Sequence, residues 1–315
     1  VKVSSFLSGG SDTTSIVETA HKFLGNLDTK TYEFKENLKN KDNEINRSKK
    51  ISQTLGIKNF TQILDNKNLN SNIDRLINIV ETPITSIRLN AFDSLYKKAK
   101  SNNEKVILEG HGGDELMGGY EYNWVNGFVD NEFNKKKFDK SAIFKIFSEK
   151  NIKYYGVKKL INSIYILNSQ GNFTSDCSEY LLFDLYDIDF LNHYLEQSKE
   201  KIKLKNKNFM KLAQYKEIKK IHLPRVLNYV DKISMSNGIE TRLPFLDHEL
   251  LEYCFSLKSS LKYKNGQQRY LWKKVFKYGL KKIYKKKSVT DPQRLMFKKK
   301  LNQYLLEEIN CNRIK

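Results

Sequence analysis

The chain has 315 residues, 39% hydrophobic and 12% aromatic, enough apolar surface to close an ordinary core and to exclude a wholly disordered chain. No run approaches the roughly 18 apolar residues of a membrane helix. The net charge is +20, yet only eight of the 56 basic residues are arginines. That favours solvated lysine faces and an AT-rich coding bias over a nucleic-acid footprint, where arginine forks are the usual tool. Cys177, Cys254 and Cys311 are far apart, with no CxxC, which excludes a disulfide framework and a cysteine zinc site and fits a reducing cytoplasm. The opening run turns polar after seven positions, so no signal peptide is expected.

In chain order, VKVSSFL (1–7) reads as a strand ending in Ser-Gly-Gly. A helix follows, with Ile16, Val17, Ala20, Phe23 and Leu24 on one face and Gly25 as its stop. TKTYEF (29–34) is a second strand, 43–56 a weaker helix closed by Gly56, and FTQIL (60–64) a third strand. Ile73, Leu76, Ile77 and Val80 mark a helix before Pro83. Phe92, Leu95, Tyr96 and Ala99 mark another, and KVILEG (105–110) is a fourth strand. Strands alternating with helices predict an α/β fold with a mostly parallel sheet covered on both faces. Residues 121–221 read as an aromatic, lysine-rich helical insert, and 222–315 as a further helical layer. The α/β part is expected over 1–120, and all four prolines fall at the edges of readable elements.

Two blocks carry the chemistry. The first, Ser8-Gly9-Gly10-Ser11-Asp12-Thr13, lies between a strand and a helix. Two glycines let the backbone turn tightly. The amides at the helix start, with its dipole, favour an anion such as phosphate. Ser8 and Thr13 add hydroxyls, and Asp12 is placed to hold Mg²⁺ against phosphates. There is no GxxxxGK[ST], so this is not a Walker loop. The second block, Glu109-Gly110-His111-Gly112-Gly113-Asp114-Glu115 with Gly118-Gly119-Tyr120, also follows an apolar strand. Ligands of doubly wound sheets bind at the carboxyl ends of the strands, so Asp12 and Asp114 are expected on one sheet edge.

The Ser-Gly-Gly-x-Asp-Thr loop resembles the PP-loop of ATP pyrophosphatases, and Asp231-Lys232-Ile233-Ser234-Met235 with Glu240-Thr241-Arg242-Leu243-Pro244-Phe245-Leu246-Asp247 resembles a segment of asparagine synthetases and their β-lactam synthetase relatives. The resemblance runs from residue 1 to about 295, weakly over 121–215. It implies the PP-loop (adenine nucleotide α-hydrolase-like) sheet with an extensive C-terminal helical layer. It also implies an ATP- and Mg²⁺-dependent ligase that adenylates a carboxylate, releases pyrophosphate and passes the acyl group to ammonia. By position, Ser8, Gly9, Gly10, Ser11, Asp12 and Thr13 would hold pyrophosphate and Mg²⁺. Asp114 would hold Mg²⁺, and Phe6, Phe34 and the Glu109–Gly110 backbone would flank adenosine.

Three departures matter. Thr13 stands where the family usually has Ser, and keeps the hydroxyl. His111 stands where asparagine synthetases usually carry Glu near the acceptor; an imidazole either takes the proton of the attacking amine or forms a neutral hydrogen-bonding wall. L-aspartate is the acceptor the resemblance implies, and His111 motivates a sugar acid or peptide side chain as the alternative. Arg269, in Arg269-Tyr270-Leu271-Trp272-Lys273, stands where the family has a Lys that steadies the intermediate, against the alternative of a surface helix cation. Asp231, Glu240, Arg242 and Asp247 are read either as acceptor contacts or as buried ion pairs, the latter favoured for Glu240 and Asp247. Lys285–Lys287 and Lys298–Lys300 read as a solvated tail, and the scattered His21, His193, His222 and His248 have no metal spacing.

Glutamine-dependent members begin with a glutaminase domain whose N-terminal Cys releases ammonia. Nothing in 1–315 corresponds to it, so ammonia is expected from solution, a partner subunit or a domain outside this sequence. Ammonium and not glutamine is the expected nitrogen donor of the 315 residues. The expected partners are ATP, a small carboxylate, ammonia and a glutaminase domain or subunit, with a homodimer left open and no membrane. A non-catalytic basic binding protein is the contrasting class, motivated by the charge alone.

Overall fold

The computed structural model describes residues 1–65, 69–82, 84, 86, 88–120, 123, 126–127, 130–131, 208–219, 222–264 and 267–276. Most of the expected helical insert and the lysine-rich tail, with Pro83, Cys177, His193, Pro292 and Cys311, lie outside the described residues. The described residues form two compact units. One holds Val1–Gly110 with Val226–Pro244; the other holds the described residues of 111–225 with Phe245–Val275.

The first unit is a five-stranded parallel sheet in the order β3-β2-β1-β4-β5. β1 (Val3–Phe6) pairs with β2 (Asp28–Phe34) in the register Ser5↔Thr29, and with β4 (Val106–Leu108) in the register Ser4↔Ile107. β3 (Asn59–Leu64) pairs with β2, and β5 (Glu240–Arg242) with β4 in the register Ile107↔Thr241. The four expected strands are present and run parallel, as expected. β5 was not expected: it lies in a stretch read as helical. Its Glu-Thr-Arg sequence has neither an apolar run nor alternation to declare a strand, and charged residues are usual on a sheet edge.

Adjacent residues of a strand point to opposite faces, so β1 feeds two cores. Leu7, just after β1, packs with Val17 of α1 (Ser11–Leu24), Leu27 and Ile51 of α2 (Glu44–Leu55). Phe6 packs on the other side with Leu76 and Val80 of α3 (Leu69–Val80), with Leu95, Tyr96 and Ala99 of α4 (Arg88–Ser101), and with Ile107. Tyr229 and Ile233 of α7 (His222–Ser236) and Ile239 complete that core. The expected stops hold as well. Gly25 (φ 70°) and Gly56 (φ 66°) end α1 and α2, in a backbone conformation that costs glycine least. The expected apolar face of α1 is shorter than its periodicity, because Phe23 and Leu24 in the last turn are exposed.

The second unit contains α5 (Gly113–Met117), α6 (Phe209–Lys219), α8 (His248–Ser256), α9 (Ser259–Lys262) and α10 (Tyr270–Val275). A short antiparallel pair, β6 (Tyr263–Lys264) and β7 (Gln267–Gln268), joins the last two helices. Among the described residues no helix is long and apolar enough to cross a membrane.

Candidate active site

The sheet order reverses direction between β1 and β4, whose neighbouring chain segments run to opposite sides. In open parallel sheets that switch point is where ligands bind, beyond the carboxyl ends of the strands. Both motif blocks leave the sheet there: Ser8–Thr13 after β1, and Glu109–Gly110 after β4.

The Ser8–Thr13 loop is tied to itself. The Ser8 amide donates to Thr13 Oγ1 at 3.1 Å, the two hydroxyls lie 3.1 Å apart, and the Gly10 amide donates to Ser8 Oγ at 3.1 Å. Thr13 therefore does the loop work expected of either hydroxyl residue. Gly9 has φ +72°, and a Cβ there would overlap Arg47 of α2. Gly10 caps α1 without a side chain, leaving the helix entrance open. The first helical bond is the Thr14 amide to Gly10 O at 3.1 Å, so the preceding amides of α1 have no carbonyl one turn back. Asp12 lies in this first turn. Gly110 closes on the same loop: a Cβ there would meet Thr13 Cγ2 at 3.0 Å and Asp12 Cβ at 3.3 Å. The Glu109 amide donates to Arg242 O at 3.0 Å. Its buried carboxylate accepts from the Tyr96 hydroxyl, whose pKa is pushed well above its usual value by burial and by this carboxylate.

In the second unit, α5 carries the acidic block. Gly112 (φ +95°) begins it, in a space that Leu246 and Phe245 would deny to a side chain. Gly118 (φ +64°) ends it, and the Gly119 amide donates to Asp114 O at 2.8 Å. A Cβ on Gly119 would collide with the Asp114 carboxylate. The Gly-Gly pair at 118–119 thus has two separate duties, a left-handed cap and room for an acid. Arg269 Nη1 donates to Asp114 Oδ1 at 2.8 Å, its guanidinium lies over the Trp272 ring at 4.9 Å, and its φ is 54°. At 8% exposure it is not the surface cation of the alternative reading. His111 is half-buried just before α5.

α5 is held from behind. Gln214 of α6 donates from Nε2 to the carbonyls of Glu115 (2.8 Å) and Leu116 (2.6 Å), and Lys262 Nζ donates to Gln214 Oε1 at 2.6 Å. Lys262 is fully buried, and burial lowers its pKa from 10.5 to about 8. Between those values the unfolded chain holds a proton that the folded chain has lost, so stability should rise with pH across that window. Lys262→Met should remove this rise. The difference in unfolding midpoint between wild type and variant, followed from below pH 8 to above 10.5, checks it.

The remaining residues fall in less chemical places. The Phe6 and Phe34 rings are core, Phe6 against Phe92 (5.9 Å) and Tyr96 (5.3 Å), so what they offer at the strand ends is backbone. Glu240 and Arg242 pair with each other on exposed β5, and Asp247 caps α8 by accepting from the Leu250 amide at 3.1 Å. Neither Glu240 nor Asp247 is the buried ion pair expected. Asp231 is exposed too. The segment is instead held by Lys232, which donates to Val80 O at 3.0 Å and pairs with Glu81, and by Asn237, which donates to buried Asp93 at 3.0 Å. Pro224 lies inside the first turn of α7, where its missing amide costs nothing. Arg47 and the Gln214–Lys262 tether escaped sequence reasoning, whereas the Gly118–Gly119 doublet was named there without its duty toward Asp114.

No group of three or more His, Cys, Asp or Glu side chains among the described residues is arranged to hold a metal ion. The donors on hand suit Mg²⁺ all the same. It keeps several waters and is held by one or two carboxylates plus phosphate oxygens, and Asp12 and Asp114 each stand in a helix's first turn.

The asparagine synthase family matches residues 1–310. The chain is similar to the glutamine-hydrolysing asparagine synthetase 1 of Bacillus subtilis (strain 168), 25% identical over 296 residues that cover 87% of this chain and 43% of the relative. It is 25% identical over 179 residues to asparagine synthetase 2 of the same strain, covering 53% of this chain and 19% of the relative. It is 24% identical over 306 residues to amidase chry2 of Gibberella zeae, covering 87% and 45%. The chain thus spans less than half the length of these relatives. With the family match running over nearly all of its residues and the glycine loop seated at the switch point of a parallel sheet, the chain belongs to the asparagine synthase family and carries its synthetase domain.

Proposed function

We propose that this chain catalyses the synthetase half of an ATP-dependent, AMP-forming amide ligation. A carboxylate, L-aspartate by family resemblance, attacks the α-phosphorus of ATP. The bond to the bridging oxygen breaks and pyrophosphate leaves. Ammonia then attacks the acyl carbon, sheds a proton, and AMP departs with the C–O bond pair. Activation is needed because oxide is a hopeless leaving group, whereas AMP is a good one. The observation that carries this reading is the Ser8–Thr13 loop. Its self-bonded turn, the left-handed Gly9 and a Gly10 cap without a side chain start α1 directly after β1, with Gly110 closed against it.

In this reading the loop amides bind and orient the phosphates, whose charge grows as pyrophosphate departs. Asp12 and Asp114 hold Mg²⁺, which when bound neutralises phosphate charge. Arg269 fixes the Asp114 carboxylate. The backbone at Phe6, Phe34, Glu109 and Gly110 flanks the adenosine. His111 takes the proton shed by the amine. A second reading keeps the chemistry and changes the carboxylate; it is favoured by His111, which replaces the usual acidic residue.

The test follows pyrophosphate and amide separately, with ammonium and a panel of carboxylates that includes L-aspartate. Pyrophosphate release that depends on one carboxylate is the expected result, and its absence with every carboxylate tried would overturn the ligase. His111→Ala should slow amide formation by about 10²–10⁴-fold, the range for a lost general base, and spare adenylation. Equal loss of both products would make His111 a wall.

A further inference from the structure

Arg47 belongs to neither motif block, yet it forms the back of the phosphate loop. A side chain on Gly9 would overlap Arg47 Cβ, and would come within 3.2 Å of the Arg47 carbonyl carbon and the Ser48 amide nitrogen. The first turns of α2 are therefore in direct contact with the loop. α2 is also fixed there. The buried Glu33 carboxylate accepts from the Phe34 amide (3.0 Å) at the end of β2 and from the Glu44 amide (2.8 Å) at the start of α2. Asn43 caps the helix by accepting from the Asn46 amide at 2.8 Å. The start of α2 thus lies at the carboxyl edge of the sheet, where α1 also begins.

The Arg47 side chain is 14% exposed. Nη1 donates to Asp42 O at 2.9 Å and lies 3.5 Å from Asp42 Oδ1, on a half-exposed carboxylate where screening leaves little attraction. Nε is buried and has no acceptor among the described residues. A guanidinium stays charged, and a buried donor without an acceptor is costly. Beside a loop built for phosphate, that cost is removed when a phosphate oxygen arrives, and guanidinium planes match phosphate oxygens.

We propose that Arg47 is a pyrophosphate-binding residue, reaching past Gly9 to the β- and γ-phosphates of ATP and holding them as they leave. This rests on the reading of Ser8–Thr13 as a phosphate loop and adds a cation from α2 to it. Charge accumulates on these phosphates during adenylation, so a cation here strengthens binding of the leaving group more than binding of AMP.

The experiment is calorimetric titration of the whole chain with magnesium pyrophosphate and, separately, with AMP. Wild type, Arg47→Met and Arg47→Lys are compared, with unliganded melting curves as the fold control. Arg47→Met should weaken pyrophosphate binding by about tenfold or more, the scale of a lost charge-assisted hydrogen bond. It should leave AMP binding unchanged, and Arg47→Lys should fall between. Pyrophosphate bound equally by wild type and a folded Arg47→Met overturns the proposal. So does equal weakening of both ligands, which would make Arg47 a structural wall of the loop. If Arg47→Met does not fold, Arg47→Lys with unaltered pyrophosphate affinity overturns it. Failure of wild type to bind pyrophosphate at all would sink the phosphate-loop reading itself and Arg47 with it.

Discussion

Asp12→Asn and Asp114→Asn should each reduce AMP formation from ATP by about 10²–10³-fold and leave the unfolding midpoint close to wild type. The scale follows from removing one preorganised charge at a site where leaving-group charge develops. Amides are near-isosteres of the carboxylates, so the packing survives. In Asp114→Asn the side-chain amide keeps an oxygen for Arg269 Nη1, which lies 2.8 Å from Asp114 Oδ1 in the wild type, and Gly119 still leaves it room. In Asp12→Asn the new side chain remains in the first turn of α1, where the backbone carbonyl of Asp12 accepts from Ser15 Oγ at 2.9 Å whatever its side chain. What changes is affinity for a divalent cation. A folded double variant that still forms AMP at the wild-type rate would remove both residues from the site.

Lys30→Met should cost about 3–5 kcal/mol of stability, the usual penalty of leaving one member of a buried ion pair alone. Lys30 stands in the middle of β2 with no exposure and pairs with buried Glu104, which also accepts from Ser4 Oγ at 2.7 Å. Burial lowers the pKa of Lys30, while the hydrogen bond and charge of Glu104 act the other way. Removal of Lys30 leaves Glu104 with Ser4 and with Lys2, 3.9 Å away and half-exposed. Urea unfolding of the single variants, and of Lys30→Met combined with Glu104→Leu, checks this. The double variant should recover most of the loss, since apolar replacements of a buried pair are often neutral. A single variant that costs under about 1 kcal/mol, against the several expected for an unpaired buried charge, would show that Glu104 finds other solvation.

The legible parts of this chain are those where local pattern and final position agree. β1 to β4 alternate with helices whose apolar faces meet the sheet, and parallel strands need such crossovers, so their parallel pairing followed from the spacing. The glycine loop was legible because strand, Gly-Gly and helix are contiguous. β5 was not. Its three residues carry no periodic signal, and the sheet recruits them only by completing β4's hydrogen bonds, as when the Glu109 amide donates to Arg242 O. The charges of that stretch were misjudged for the same reason. An edge strand exposes Glu240 and Arg242, two residues apart on one face, so they pair with each other in water.

The sequence by itself determined the fold class, the glycine loop with Asp12, the acidic turn with Asp114, and the stops at Gly25 and Gly56, because each is written in residues adjacent in the chain. Tertiary structure alone decided which groups stand behind them. Arg47 meets Gly9 only because α2 is pinned at the sheet edge. Arg269 meets Asp114 only because α10 begins in a left-handed turn, and Lys262 becomes a buried cation only because α6 and α9 close around it. Charged groups far apart in sequence carry no local signal of burial. Their pairing is fixed by the packing that removes water from around them.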